Sequence, residues 1–235
     1  MPRTIESLGA VLVLAAFAQG LGACASGSAS SLPLPAAAAV TELPPHVHAS
    51  DVSLDEALAR RRSVREYSDQ ALSIADTGHL LWAAQGITSE QGYRTAPSAG
   101  ALHPLELYLL TAEGVFHYEP QNHRLSAVSH GADRQALFRA ALEQEPVRQA
   151  PAVFVVTAVY ARTVQKYGEE RSPRYVQMEA GHAAQNLLLE AAALNLGAVP
   201  IGTFHDQEVW EALGLPADHQ PLYLIPVGHP RSPDR

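Results

Sequence analysis

The chain has 235 residues, 47% of them apolar, and the part that follows the N-terminal region is of a size for which one hydrophobic core is the default. A formal net charge of −8 argues against a nucleic-acid partner. The single cysteine, Cys24, excludes an internal disulfide.

In chain order, Leu8 to Ala18 is an apolar stretch too short to span a bilayer comfortably, and it runs into Leu21-Gly22-Ala23-Cys24. Residues 1–23 read as a signal peptide whose end resembles a bacterial lipobox. In such a box the cysteine becomes the lipidated N-terminus, which gives the lone thiol a use. The alternative is an uncleaved apolar N-terminus. Residues 24–50, rich in Ser, Ala and Pro, read as a flexible tether ahead of one domain at 51–235. On this reading the protein is exported and held at a bacterial membrane by a lipid anchor, facing the periplasm or exterior; without processing it is cytoplasmic.

A helix is predicted from Leu54 to Arg60, capped by Ser53 or Asp51. It ends on Arg61-Arg62-Ser63-Val64-Arg65, three guanidinium groups around one hydroxyl. Planar forks of donors suit phosphate and polarised ring oxygens, so alternation of Arg61, Ser63 and Arg65 directs three polar groups at one ligand. A solvated basic patch is the other reading. A second helix, capped by Ser73 or Asp76, ends at Gln85-Gly86. Ala96-Pro97-Ser98-Ala99-Gly100-Ala101-Leu102-His103-Pro104 is a loop of small residues that lets backbone approach a planar ligand. It feeds a hairpin, Leu107 to Thr111 and Val115 to Tyr118, around Glu113-Gly114.

Asp133 to Glu143 reads as helical, and Ala152 to Tyr160 as a buried central strand. Ala183, Leu187, Ala191 and Leu194 recur at helical spacing, which predicts a long small-residue helix from Tyr175 that stops at Asn195-Leu196-Gly197, where glycine suits a C-terminus. Lys166-Tyr167-Gly168 falls in the loop before it. Ala198 to Phe204 reads as a short strand turning through Gly202 into a helix opened by Asp206, and Leu222 to Val227 as the last strand. The histidines are scattered, with no His-Glu-x-x-His or Cys-His cluster, so no metal site is expected. No Gly-x-Gly-x-x-Gly follows a strand, so no separate nicotinamide domain is expected.

Taken jointly, the Arg-x-Ser-x-Arg element, the Pro-Ser-Ala-Gly-Ala-Leu-x-Pro loop, the Glu-x-Gly-His-x-x-Gln-Asn helix, the Pro-x-Gly turn and Pro226-Val227-Gly228-His229-Pro230 resemble the nitroreductase family, in particular its SagB-type dehydrogenase branch, over roughly Leu54 to Pro230. The resemblance implies an α+β fold of three layers, with a central mostly antiparallel sheet flanked by helices and segments exchanged in a homodimer. It implies FMN as cofactor. Arg61, Arg62 and Ser63 would hold its phosphate and ribityl chain, and Arg65 its pyrimidine edge. Pro97, Ser98, Ala99 and Ala101 of the other subunit would line the ring, with Pro200, Gly202 and Thr203 beside its redox edge. Arg231 or Arg235 would stand in for a C-terminal basic residue that reaches the phosphate in many members. Lys166 and Tyr167 match a pair credited with catalysis in SagB-type enzymes; a packing role in a loop is the alternative. His182 is read as a packing residue.

Two functional classes follow. One is an FMN oxidoreductase that transfers hydride between flavin and a small organic or peptide-derived substrate; the other is a non-catalytic flavin-binding lipoprotein. Export bears on the first. Nicotinamide nucleotides are cytoplasmic reductants, so a tethered exported flavoprotein favours dehydrogenation, with electrons passed to oxygen. A nicotinamide-linked nitro or quinone reductase belongs to the unexported case.

Overall fold

The computed structural model describes residues 39–47, 51–130 and 133–231. The predicted leader, Cys24 and Arg235 lie outside these. Everything described belongs to one unit, 37–235.

Helix α1 (Leu54–Arg60) starts at Ser53, whose hydroxyl accepts from the Glu56 amide at 3.2 Å. Helix α2 (Ile74–Gln85) starts at Ser73, which accepts from the Asp76 amide and donates to its carboxylate at 2.7 Å. Caps of this kind contribute about 1 kcal/mol each. The hairpin forms as β2 (Leu105–Leu110) and β3 (Gly114–Glu119), followed by β4 (Arg124–His130), which the sequence pattern did not announce. Helices α3 (Arg134–Ala140) and α4 (Glu145–Gln149) precede β5 (Ala152–Ala158), every residue of which is buried. Helix α5 (Tyr160–Ala193), strand β6 (Gly197–Ala198), helix α6 (Asp206–Leu213) and strand β7 (Gln220–Gly228) complete the fold.

With β1 (Val40–Glu42), the strands make one seven-stranded sheet in the order β1-β4-β3-β2-β5-β7-β6, antiparallel throughout. Alternation sorts its side chains. Leu105, Leu107, Leu109, Phe154 and Val156 meet α2 and α5, while Tyr108, Leu110, Val153 and Val155 meet α3 and α6. The expected three-layer α+β arrangement is therefore present. On α5, Ala180, Ala183, Ala184 and Leu187 are buried against α2, the small side chains allowing close approach.

Three boundaries differ from expectation. Residues assigned to a flexible tether include β1 at the sheet edge, and beyond it Leu43 is buried and the His46 ring stacks on Trp82 with centroids 3.5 Å apart. The strand ends at Ala158 and α5 begins at Tyr160, so Lys166 and Tyr167 sit on a helical arm rather than in a loop. That arm breaks at Gly168 (φ 73°, ψ 168°) before the helix resumes. At the other end Asn195 takes the left-handed conformation (φ 58°), and Gly197 lies in β6. A Cβ on Gly197 would stand 2.6 Å from Val64 Cγ1, so this glycine serves close packing and not the helix end. Among the described residues, no helix is long and apolar enough to cross a membrane.

Candidate functional site

The arginine segment leaves α1 at Arg61 in an extended conformation and is stitched into the sheet's end. The Val64 amide donates to Ala198 O at 3.0 Å, and Ser63 pairs in parallel with Ala198. Buried Tyr67 donates to Val64 O at 2.6 Å, and the Ser68 and Arg231 amides donate to His229 O and Glu66 O. Arg231 is thereby brought beside the arginine segment.

A cleft of about 640 Å³ opens here. It is lined by Arg60, Arg61 and Arg62 from the end of α1, by Asn195 and Ala198, and by His229 near the C-terminal end. Arg60 donates to Asn195 Oδ1 at 3.3 Å and pairs with Glu56. Arg62 folds back on the carbonyls of Ala59 and Arg61, both at 2.8 Å. Arg61 makes no side-chain hydrogen bond or ion pair with any described residue, which leaves its fork of donors available to a ligand. Ser63 and Arg65 are exposed and do not line the cleft; Arg65 reaches only the Ser63 carbonyl, at 3.4 Å. Simple alternation of Arg61, Ser63 and Arg65 toward one point is not what the backbone produces. Arg60, Asn195 and His229 take the remaining places. Arg60 adjoins the motif and was legible; Asn195 and His229 arrive by tertiary folding.

Pro200, Gly202 and Thr203 continue from β6, anchored where Ile201 bridges Leu224 and where Gln144 Nε2 donates to Thr203 O at 2.8 Å. Gly202 does not adopt a positive φ, so the turn does not depend on glycine there.

A second group assembles around the small-residue loop. Gly100 (φ 64°), Ala101 (φ 55°) and His103 (φ 46°) are all left-handed. For the two that are not glycine this costs about 1 kcal/mol each, offset by anchors on either side. Ser98 Oγ accepts from the His103 amide at 2.9 Å, Arg162 donates to His103 O at 2.9 Å, and the Val159 amide donates to Pro104 O at 2.8 Å. Arg162 also pairs with Glu106, which accepts from His117 at 2.7 Å. Burial alone would raise the Glu106 pKa, but the His117 and Arg162 hydrogen bonds together hold it below the usual carboxylate range.

Against this loop lie Lys166 and Tyr167. A Cβ on Gly100 would fall 2.8 Å from Lys166 Nζ and 2.9 Å from Tyr167 Oη. Lys166 Nζ stands 5.6 Å from the centre of the Tyr167 ring, which packs edge-on against Tyr175 at 4.8 Å. Lys166 is the only lysine in the chain, a signal visible in the sequence before any motif is sought. Within one chain, then, the predicted residues fall into an arginine cleft at the β6 edge and a loop-plus-Lys-Tyr group. Pro97, Ser98, Ala99, Ala101, Lys166 and Tyr167 are not part of the cleft lining.

An antiparallel sheet covered on both faces, with guanidinium groups around a cleft at its edge, defines an α+β anion-binding fold. The chain belongs to the nitroreductase family, which it matches over residues 58–229. Members of that family are oxidoreductases that typically bind a flavin. The chain is 42% identical over 184 residues to a nitroreductase-like protein of Methanocaldococcus jannaschii, covering 76% of this chain and 91% of that one. A nitroreductase-like crystal structure from Ralstonia eutropha JMP134 superposes with a TM-score of 0.75 at 29% identity, covering 85% of this chain and 95% of that one. Over a shorter stretch, 119 residues, it is 33% identical to the trifolitoxin-processing protein TfxB of Rhizobium leguminosarum bv. trifolii, spanning 46% of this chain and 32% of the relative.

Proposed function

We propose that this protein is an FMN-dependent dehydrogenase of the SagB type, acting on a small organic or peptide-derived substrate. The observation that carries the reading is the placement of the chain's sole lysine, with Tyr167, against the Gly100 turn. The likeness to a trifolitoxin-processing protein supports a processing role.

The residues present fit the cofactor. The cleft volume lies within the usual range for ligand sites, roughly 300–1,000 Å³. Its donor set, the unpaired Arg61 fork with Arg62 and the nearby Arg231, suits a phosphate ester. Ser63 and Arg65 stand on the same extended segment for the ribityl chain and pyrimidine edge, and Pro200, Gly202 and Thr203 continue from the strand beside it. Pro97, Ser98, Ala99 and Ala101 would close the site from a second copy, in a segment-exchanged homodimer. When bound, FMN supplies a two-electron acceptor for a hydride leaving a substrate C–H bond, with dioxygen as the final oxidant.

The protein's part is proton handling and position. The neutral Lys166 amine takes the proton released from the substrate atom next to the oxidised carbon, and Tyr167 Oη orients that amine. The substrate is held between the loop and this pair. Export on a lipidated Cys24 places the reaction outside the cytoplasm; Cys24→Ser should leave an unprocessed precursor that incorporates no labelled fatty acid. The test of the chemistry is anaerobic bleaching of bound FMN by candidate substrates in wild type and Lys166→Ala, with flavin occupancy measured on the same samples.

The relative from Methanocaldococcus jannaschii favours a second reading, nitro or quinone reduction. Rapid bleaching by a nicotinamide nucleotide, together with retention of Met1 in the purified protein, would select it.

A further inference from the structure

Helix α5 buries a stripe that includes Val176, Ala180, Ala183 and Leu187, and Glu179 lies on the same buried face with 2% of its surface exposed. An apolar residue is the ordinary occupant of such a position. Its Oε1 is fully buried and has no hydrogen-bond partner among the described residues. Burying a carboxyl unsatisfied costs about 1–3 kcal/mol, more when it is charged, so its presence calls for a compensating role.

Two elements face it. From the small-residue loop comes the Ser98 hydroxyl, and from the segment after α2 comes Arg94. Arg94 itself donates to Gln85 Oε1 at 2.7 Å and lies in the fields of Glu106, Arg162 and Tyr118; its charge also acts on His103. Ser98 is the pivot of the loop, because its hydroxyl accepts the His103 amide and its carbonyl accepts the Ala101 amide at 3.1 Å. The turn so fixed contains Gly100, which abuts Lys166 and Tyr167.

We propose that Glu179 is a positioning residue for the Lys166–Tyr167 pair: it anchors Ser98, and through the Ser98–His103 turn it holds the wall against which the lysine amine and tyrosine hydroxyl rest. The protonated carboxyl donates to Ser98 with no buried charge. Ionisation leaves a carboxylate with Ser98 and Arg94 as its recorded polar neighbours, which favours opening of the loop toward water. Burial pushes the Glu179 pKa up to about 7, only partly countered by Ser98 and Arg94, so the anchor changes state near neutral pH. The catalytic consequence rests on the dehydrogenase reading above; the anchor itself does not.

The test uses the full protein and its Glu179→Gln and Glu179→Ala variants between pH 5.5 and 8.5, without added flavin. Hydrogen exchange at the His103 amide, corrected for intrinsic rates, reads the loop. Acetylation of Lys166, relative to a free lysine amide, reads the wall. Wild type should lose about tenfold protection at His103 as pH crosses about 7, with a parallel rise in relative Lys166 labelling. Glu179→Gln, which mimics the protonated acid, should stay flat at the low-pH level; Glu179→Ala should be unprotected throughout. A pH dependence in Glu179→Gln equal to wild type, or full protection in Glu179→Ala, overturns the proposal. FMN binding by fluorescence quenching on the same samples judges the flavin reading separately, because a wild type that ignores FMN leaves the His103 result standing.

Discussion

Gly100 and Lys166 are packed so closely that one added methyl group on the glycine would come within 2.8 Å of the lysine Nζ. The glycine's positive φ and the terminal position of that amine mean that two independent constraints meet in one turn. Gly100→Ala should therefore lower stability by about 1 kcal/mol for the backbone alone, read as a drop in melting temperature. It should also displace Lys166 and slow substrate-dependent flavin bleaching. A variant that melts and turns over like wild type would show that the turn tolerates a side chain.

Lys166→Ala should keep the fold and any bound flavin while lowering substrate-dependent bleaching by on the order of 10²–10⁴, the range for a positioned acid or base. Stopped-flow absorbance measures it. Unchanged bleaching at full flavin occupancy would remove Lys166 and Tyr167 from the chemistry.

Gly197→Ala tests the joint between the arginine segment and β6. A methyl there meets Val64 Cγ1 at 2.6 Å, and overpacking of this kind costs typically 1–3 kcal/mol. Denaturant unfolding should show that loss, and the double variant Gly197→Ala with Val64→Ala should recover part of it. No recovery would locate the strain elsewhere.

Glu179 sets a pH dependence of stability with a definite sign. Its pKa is raised in the folded state from 4.5 to about 7, so the native protein holds a proton that the unfolded chain has lost. The contribution is fully present below about pH 4.5, declines as pH rises, and is gone above about pH 7, a change of up to about 3 kcal/mol. Melting temperatures of wild type and Glu179→Gln should diverge in favour of the variant between pH 5 and 8. Parallel curves would show that the carboxyl is not protonated in the fold.

Much of this was legible in the chain, and what was not has physical causes. Ser53 and Ser73 announced α1 and α2 because a cap is a local device, and β5 announced itself by a continuous β-branched run. Strand β4, Arg-Leu-Ser-Ala-Val-Ser-His, mixes polar and small residues because it lies next to the short edge strand β1, so its pattern is weak. The break at Gly168 hid the helical arm that carries Lys166 and Tyr167. Gly197 was read as a helix terminator because its true reason, the approach of Val64, is tertiary. Glu179 could have been found: it lies four residues before Ala183 on the apolar stripe, where a carboxyl is out of place.

The central claim is that the cleft beside Arg61 holds FMN through its phosphate, and the most direct measurement is a fluorescence titration of FMN into flavin-depleted wild type and Arg61→Ala. A charge-assisted contact to phosphate is worth about 1.5–3 kcal/mol, so the account predicts saturable quenching at one FMN per chain and a dissociation constant at least roughly tenfold higher in the variant. Riboflavin, which lacks the phosphate, should bind the two proteins alike. Absence of quenching in wild type, or equal FMN affinity in Arg61→Ala, would contradict it.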